Sequence, residues 1–221
     1  VWRKIIKSYL IIIGWKMNRI IEYLDYLFPN PKCELLYDKD YEFLISIVLS
    51  AQCTDKRVNK VTRVLFDKYK TMEELANADI KDIESIIREL GSYRKKSIYV
   101  KDICNTLIKD GCSKVPNDRN YLESLSGVGR KTVNVFLGEY YNEPTIAVDT
   151  HVDRVSKRLG LANKEDNVIT IEKKLMKIIP KSKWTKTHLQ LVLFGRYYCK
   201  SVKPMCENCK LKDICKRDSV G

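Results

Sequence analysis

No stretch of this 221-residue chain stays apolar for the roughly 18 to 20 positions that a membrane-spanning helix needs. The apolar residues near the start, Leu10, Ile11, Ile12 and Ile13, are too few for a signal-peptide core. No small-residue cleavage site follows them. A cytoplasmic protein is therefore expected, nucleoid-associated if bacterial. The alternation of apolar and polar residues that marks a half-buried strand is missing over any useful length, and there is no repeat array. Linkers rich in Gly, Ser and Pro are missing too, so a second domain has to be assembled from discontinuous pieces of chain.

Basic residues are abundant. Lys and Arg number 41 against 28 Asp and Glu, a formal charge of +13. Such an excess fits a polyanionic partner, nucleic acid before an anionic membrane, although a lysine-rich solvated surface gives the same total. The apolar residues recur mostly at helical spacing. From Met17 an amphipathic helix runs through Ile20, Ile21, Leu24, Leu27 and Phe28 to Pro29 and Pro31. The run from Phe43 to Ala51 suits a strand by its β-branched content, but its length and continuity favour a buried helix. Thr54 or Asp55 can cap the helix carrying Val58, Val61, Val64 and Leu65. Further helices follow through Ile83 to Leu90, Ile98 to Leu107, Leu122 to Leu125, Val152 to Leu159, Ile169 to Ile179 and His188 to Tyr198. The expected fold class is all-α.

One stretch carries more information than the rest: Leu125-Ser126-Gly127-Val128-Gly129-Arg130-Lys131-Thr132. It reads as a tight turn opening into a helix whose apolar face is Val133, Phe136, Leu137 and Tyr140. Gly127 and Gly129 let the backbone turn sharply and approach a ligand closely. Unpaired N–H groups at a helix start bind anions, phosphate above all. Lys131 stands just inside that helix, either as a phosphate contact or as a reactive amine. Next comes Thr145-Ile146-Ala147-Val148-Asp149-Thr150-His151-Val152, where Asp149 is a natural N-cap.

Of eight cysteines, Cys33, Cys53, Cys104 and Cys112 are scattered, as small buried hydrophobes usually are. Cys199, Cys206, Cys209 and Cys215 are spaced x6, x2, x5 and read as a metal site. Tetrahedral sulfur suits zinc or an iron–sulfur cluster. A single Cys-x2-Cys pair sits poorly with a zinc ribbon. Lys200 and Lys203 lie between the first two ligands, where a fixed loop would hold them against a phosphate backbone.

Leu-Ser-Gly-Val-Gly-Arg-Lys-Thr with Val-Asp-Thr-His resembles the helix–hairpin–helix and catalytic segment of endonuclease III-type DNA glycosylases. The four-cysteine spacing is similar to the [4Fe–4S] loop of the same enzymes, and the likeness covers nearly everything after Met17. The resemblance implies a two-domain helix–hairpin–helix glycosylase fold. A helical barrel domain would take residues 33–143, and an iron–sulfur domain 17–32 with 144–217. Residues 1–16 would be an extension and Met17 the natural start. DNA would lie in a cleft faced by Lys131 as nucleophile and Asp149 as its carboxylate partner.

The resemblance further implies a [4Fe–4S] cluster on Cys199, Cys206, Cys209 and Cys215. Gln52, in Leu-Ser-Ala-Gln-Cys-Thr-Asp, would fill the gap left by an extruded base. Gly127, Gly129, Lys200 and Lys203 would contact DNA. The implied activity is a bifunctional glycosylase and abasic-site lyase. It would act as a monomer on double-stranded DNA containing oxidised pyrimidines or abasic sites, with no membrane partner. One position departs from the pattern: the wedge residue after Gly91, often leucine, is Ser92, which leaves Tyr93 as the alternative for stacking. Two other readings stay open, a monofunctional adenine-type glycosylase and a non-catalytic DNA-binding protein. Lys131 argues against the first, and the pairing of Lys131 with Asp149 against the second.

Overall fold

The computed structural model describes the backbone of residues 2–217 and, of these, the side chains from 14 onward. Eleven α-helices with short connections, and no strand among the described residues, make the chain all-α. It forms two compact units, one of residues Cys33–Tyr141 and one of the segments before and after it.

In the second of these, α1 (Trp2–Leu27) runs without a break through Met17 and stops two residues before Pro29. The side chains of the first thirteen residues, most of the expected extension 1–16, lie outside the described ones. From Met17 the stripe Met17, Ile20, Ile21 and Leu24 is buried.

The unit of residues 33–141 is built on α2 (Asp40–Leu49), in which all ten residues are buried. This explains a run with no polar face: the helix is enclosed on every side. Its two carboxylates survive burial because backbone N–H groups satisfy them. Asp40 Oδ2 accepts from Val115 N at 2.6 Å, and Glu42 Oε2 accepts from Asp38 N and Lys39 N at 3.0 and 3.2 Å. Around it pack α3 (Asp55–Lys68), α4 (Met72–Asn77), α5 (Ile80–Ile87), α6 (Tyr93–Lys109), α7 (Arg119–Ser124) and α8 (Arg130–Tyr140). Thr54, rather than Asp55, caps α3 by accepting from Arg57 N. Val64, placed on the core face by its spacing, is exposed.

The remaining helices are α9 (Thr150–Arg158), α10 (Val168–Ile178) and α11 (Trp184–Tyr197). They join α1 around Ile20, Leu24, Val152, Val155, Leu175, Leu191 and Phe194.

On α8, Glu139 is half-buried and one carboxylate oxygen has no hydrogen-bond partner. Burial pushes its carboxyl up to about 7, against a smaller opposing effect of the Cys33 backbone. The folded state therefore keeps a proton that the unfolded chain releases near pH 4.5. That contribution is full below pH 4.5 and is lost as pH rises through 7. Glu139→Gln cannot ionise, so its stability relative to wild type should improve by about 1–3 kcal/mol between pH 4 and pH 8. Urea denaturation of both proteins at the two pH values checks this; an unchanged difference refutes it.

Candidate active site and metal centre

In the unit of residues 33–141, α7 and α8 form a helical hairpin joined by residues 125–129. Arg119 on α7 donates to Asn134 Oδ1 on α8 at 2.7 Å, holding the pair together. Gly127 has φ +76, and a Cβ there would fall 2.4 Å from the ring of Tyr99 on α6. The fold itself thus demands glycine at 127, in both dihedral and space. Gly129 differs. Its φ is −108, and nothing lies within 4 Å of where its Cβ would stand. The turn does not require glycine at that position, contrary to the expectation from sequence. What Gly129 provides is a bare N-cap with no side chain bonded to the first N–H groups of α8.

Lys131 is exposed in the first turn of α8, beside those donors. An anion arriving there meets oriented N–H groups, the positive end of a helix dipole and an ammonium or amine. Ser126 Oγ donates to Asp102 Oδ2 on α6 at 3.0 Å. With Tyr99 beneath Gly127, α6 therefore supports the hairpin at two points.

The same unit presents two exposed turns in left-handed conformation without glycine: Gln52 at φ +58 and Ser92 at φ +45. Each such residue costs about 1–2 kcal/mol and persists only where its surroundings impose it. Tyr93 is partly buried and packed against the core, so Ser92 is the exposed residue of that turn.

In the other unit, Asp149 caps α9. Its Oδ1 accepts from His151 N at 2.9 Å and Val152 N at 2.8 Å. One oxygen serves both bonds, which fixes the carboxylate at the helix start. His151 Nδ1 lies 3.1 Å from Arg154 Nη2. A guanidinium only donates, so Nδ1 accepts and the ring is held neutral. Burial, more than any neighbouring charge, likewise pushes the His151 pKa down. His151 thus acts as packing: α11 approaches so closely that a Cβ on Gly195 would stand 2.8 Å from His151 Cβ.

The four terminal cysteines come together after α11. Cys199, Cys206, Cys209 and Cys215 line one cavity of about 140 Å³, with Phe194, Tyr198 and Met205 among its apolar walls. Among the described residues no disulfide forms, so all four thiols remain free. Four sulfurs lining one space are a donor set that fits a thiolate-held metal group, a zinc ion or an iron–sulfur cluster. Burial raises the Cys209 and Cys215 thiols above their ordinary range, so the set needs cationic compensation to become thiolate.

Some of that charge is built in. Arg158, only 4% exposed, donates to Cys199 Sγ at 3.6 Å and to Lys200 O at 2.7 Å, and Arg217 donates to Cys206 Sγ at 3.4 Å. Arg154 Nε donates to Cys199 O at 3.1 Å. Arg158 and Arg154 carry no local signal of this role in the sequence, because their partners lie 41 and 45 residues away. Lys200 and Lys203 are exposed on the loop they brace, Lys203 at φ +49.

Residues 45–181 match the model of the HhH-GPD superfamily base excision DNA repair proteins. Endonuclease III of Bacillus subtilis (strain 168) is 43% identical over 199 residues, which cover 88% of this chain and 91% of that one. The chain belongs to this superfamily, in its endonuclease III branch. Two solved structures agree. A non-covalent endonuclease III–DNA complex superimposes with TM-score 0.90 at 44% identity, covering 93% of this chain and 96% of the other. A trapped endonuclease III–DNA covalent intermediate gives 0.89 at 44%, covering 93% and 97%. In this family setting the all-α architecture and the helical hairpin are those expected for a base excision repair protein. No described helix is long and apolar enough to cross a membrane.

Proposed function

We infer that this chain is a base excision repair DNA glycosylase of the endonuclease III kind, and propose that it also cleaves the strand as an abasic-site lyase. The observation that carries the second step is Lys131, an exposed amine in the first turn of a helix that opens on a bare glycine cap. The substrate would be double-stranded DNA with an oxidised pyrimidine or an abasic site. Gly127, Gly129 and the N–H groups of α8 would grip a phosphate, and Lys200 and Lys203 would add positive charge along the backbone.

With the damaged nucleotide turned out of the stack, Lys131 Nζ attacks C1′ and the glycosidic bond breaks. The base leaves with a proton, and the sugar ring opens to an imine. Loss of a C2′ proton then expels the 3′ phosphate by β-elimination, and hydrolysis of the imine frees the lysine. Asp149, fixed by its cap bonds, would balance the cationic sugar and assist proton transfer. Gln52 would occupy the place of the displaced base. Cys199, Cys206, Cys209 and Cys215 would hold a [4Fe–4S] cluster, whose iron–thiolate bonds would give their loop its shape; no step of the reaction passes through it.

The test is incision of duplexes carrying a single thymine glycol, with borohydride present. Strand cleavage together with a covalent protein–DNA band is the expected result. Base excision without trapping would favour the monofunctional reading, and tight binding with neither would favour a non-catalytic protein.

A further inference from the structure

Lys96 on α6 is 5% exposed, and its ammonium meets two main-chain carbonyls and a thiol. Its ammonium donates to Ala51 O at 2.8 Å, to Leu90 O at 2.8 Å and to Cys53 Sγ at 3.6 Å. An ammonium has three protons, and all three are used. The Cys53 thiol in turn donates to Leu90 O at 2.8 Å. At the base of α6, Lys95 N and Lys96 N both donate to Ser92 O at 3.0 Å.

The acceptors are telling. Ala51 and Cys53 flank Gln52, and Leu90 precedes Gly91 and Ser92. Two exposed left-handed residues, 40 positions apart in the chain, therefore stand on turns joined through one buried cation. Left-handed backbone at Gln and Ser is unfavourable by itself and needs such a restraint. A buried charge held only by neutral groups, two main-chain carbonyls and a thiol, is likewise costly unless it orders something.

We propose that Lys96 is a positioning residue for lesion recognition: it locks the Gln52 turn to the Ser92 turn, so that both enter the duplex as one unit at the damaged site. The inference rests on the proposed DNA contact of Gln52. Ser92 makes the restraint more consequential, because a short polar side chain brings little apolar surface to hold a gap in the base stack open. The contribution of that turn is then mainly the placement of its backbone.

The test compares Lys96→Met, Gln52→Ala and the double variant. Affinity is measured for a duplex with a tetrahydrofuran abasic analogue and for an undamaged duplex of the same sequence. Each single variant should weaken binding of the analogue duplex by about tenfold, the size expected for losing hydrogen bonds to a charged group, and leave the undamaged duplex unaffected. The double variant should be no worse than either single one, the signature of two residues acting through one element. Equal losses on both duplexes, or additive losses in the double variant, overturn the proposal.

Amide hydrogen exchange separates the restraint from the DNA contact. In Lys96→Met, residues 51–54 and 91–93 should exchange faster together, while 127–132 stay unchanged. If the two turns loosen together but Gln52→Ala binds normally, the restraint stands and the Gln52 contact fails. If only one turn loosens, or none, the restraint itself is wrong. Should Lys96→Met fail to fold, Cys53→Ala, which removes one acceptor and the bond to Leu90 O, should show the same pattern at smaller amplitude. Lys96→Arg should restore much of the discrimination between the two duplexes.

Discussion

Replacing Lys131 by Gln is expected to abolish both borohydride trapping and strand incision on a thymine glycol duplex, while affinity for that duplex falls less than about threefold. The reasoning separates two roles that sit side by side. Grip, on the proposed mechanism, would come from the main chain: the N–H groups of α8 opened by Gly129, the turn held at Gly127 by Tyr99, and the bond from Ser126 to Asp102. None of these depends on the side chain at 131, which is exposed and replaceable without repacking. On the proposed mechanism imine formation depends on the amine, since an amide cannot form an imine. The loss should therefore exceed a thousandfold, limited by assay background, which corresponds to about 4 kcal/mol or more of transition-state stabilisation.

Asp149→Asn provides the contrast. It should still bind DNA and turn over far more slowly. The Asn amide oxygen can still accept the cap bonds from His151 N and Val152 N, so stability should fall by no more than about 1 kcal/mol, through loss of the negative charge at the helix start. A Lys131→Gln enzyme that still traps would mean another amine is the nucleophile.

Cys206→Ser is the second substitution with a large expected effect. The wild-type protein, purified without oxygen, should be yellow-brown with broad visible absorption and contain iron and sulfide in equal amounts. In the variant the absorption should disappear, and the segment from 199 to 215 should become sensitive to protease. The physical reason lies in how little else orders that segment. Its only regular element is a short 3-10 turn, Lys212–Ile214; Arg19 holds Lys210 O and Asp213 near that turn, but from 203 to 209 its main-chain to main-chain bonds are local ones, such as Met205 N to Tyr198 O.

Arg154 and Arg158 brace only its start, at Cys199, Lys200 and Ser201. With the ligand set broken, burial keeps the Cys209 and Cys215 thiols protonated, and Lys203 loses its fixed place. Affinity for undamaged DNA should then fall and its salt dependence flatten by about one unit for each lost phosphate contact. Colourless wild-type protein with one zinc per chain would refute the cluster, and unchanged protease resistance in Cys206→Ser would refute its structural role.

Signals confined to one or two helical turns were legible in the sequence. The all-α class, the buried helix from the run at 43–51, a cap at Thr54 or Asp55, the cap at Asp149 and the sharp turn at Gly127 each follow from residues within about four positions of one another. Side-chain period, cap chemistry and the glycine dihedral act over that distance. That the four terminal cysteines gather around one space was equally readable, because they lie in one short segment.

Only the tertiary structure decided the rest. Val64 and Ile98 stand at core spacing yet are exposed, since the width of a helix's buried face depends on what packs against it. Gly127 is demanded by a ring 28 residues away, while Gly129 is left open. Arg158 reaches its sulfur across 41 positions, and Lys96 its carbonyl across 45. Such long-range partners carry no local signature, because a lysine destined for burial is written in the sequence like one destined for solvent. The restraint on Gln52 and Ser92 emerges only when α6 brings that single ammonium under both turns.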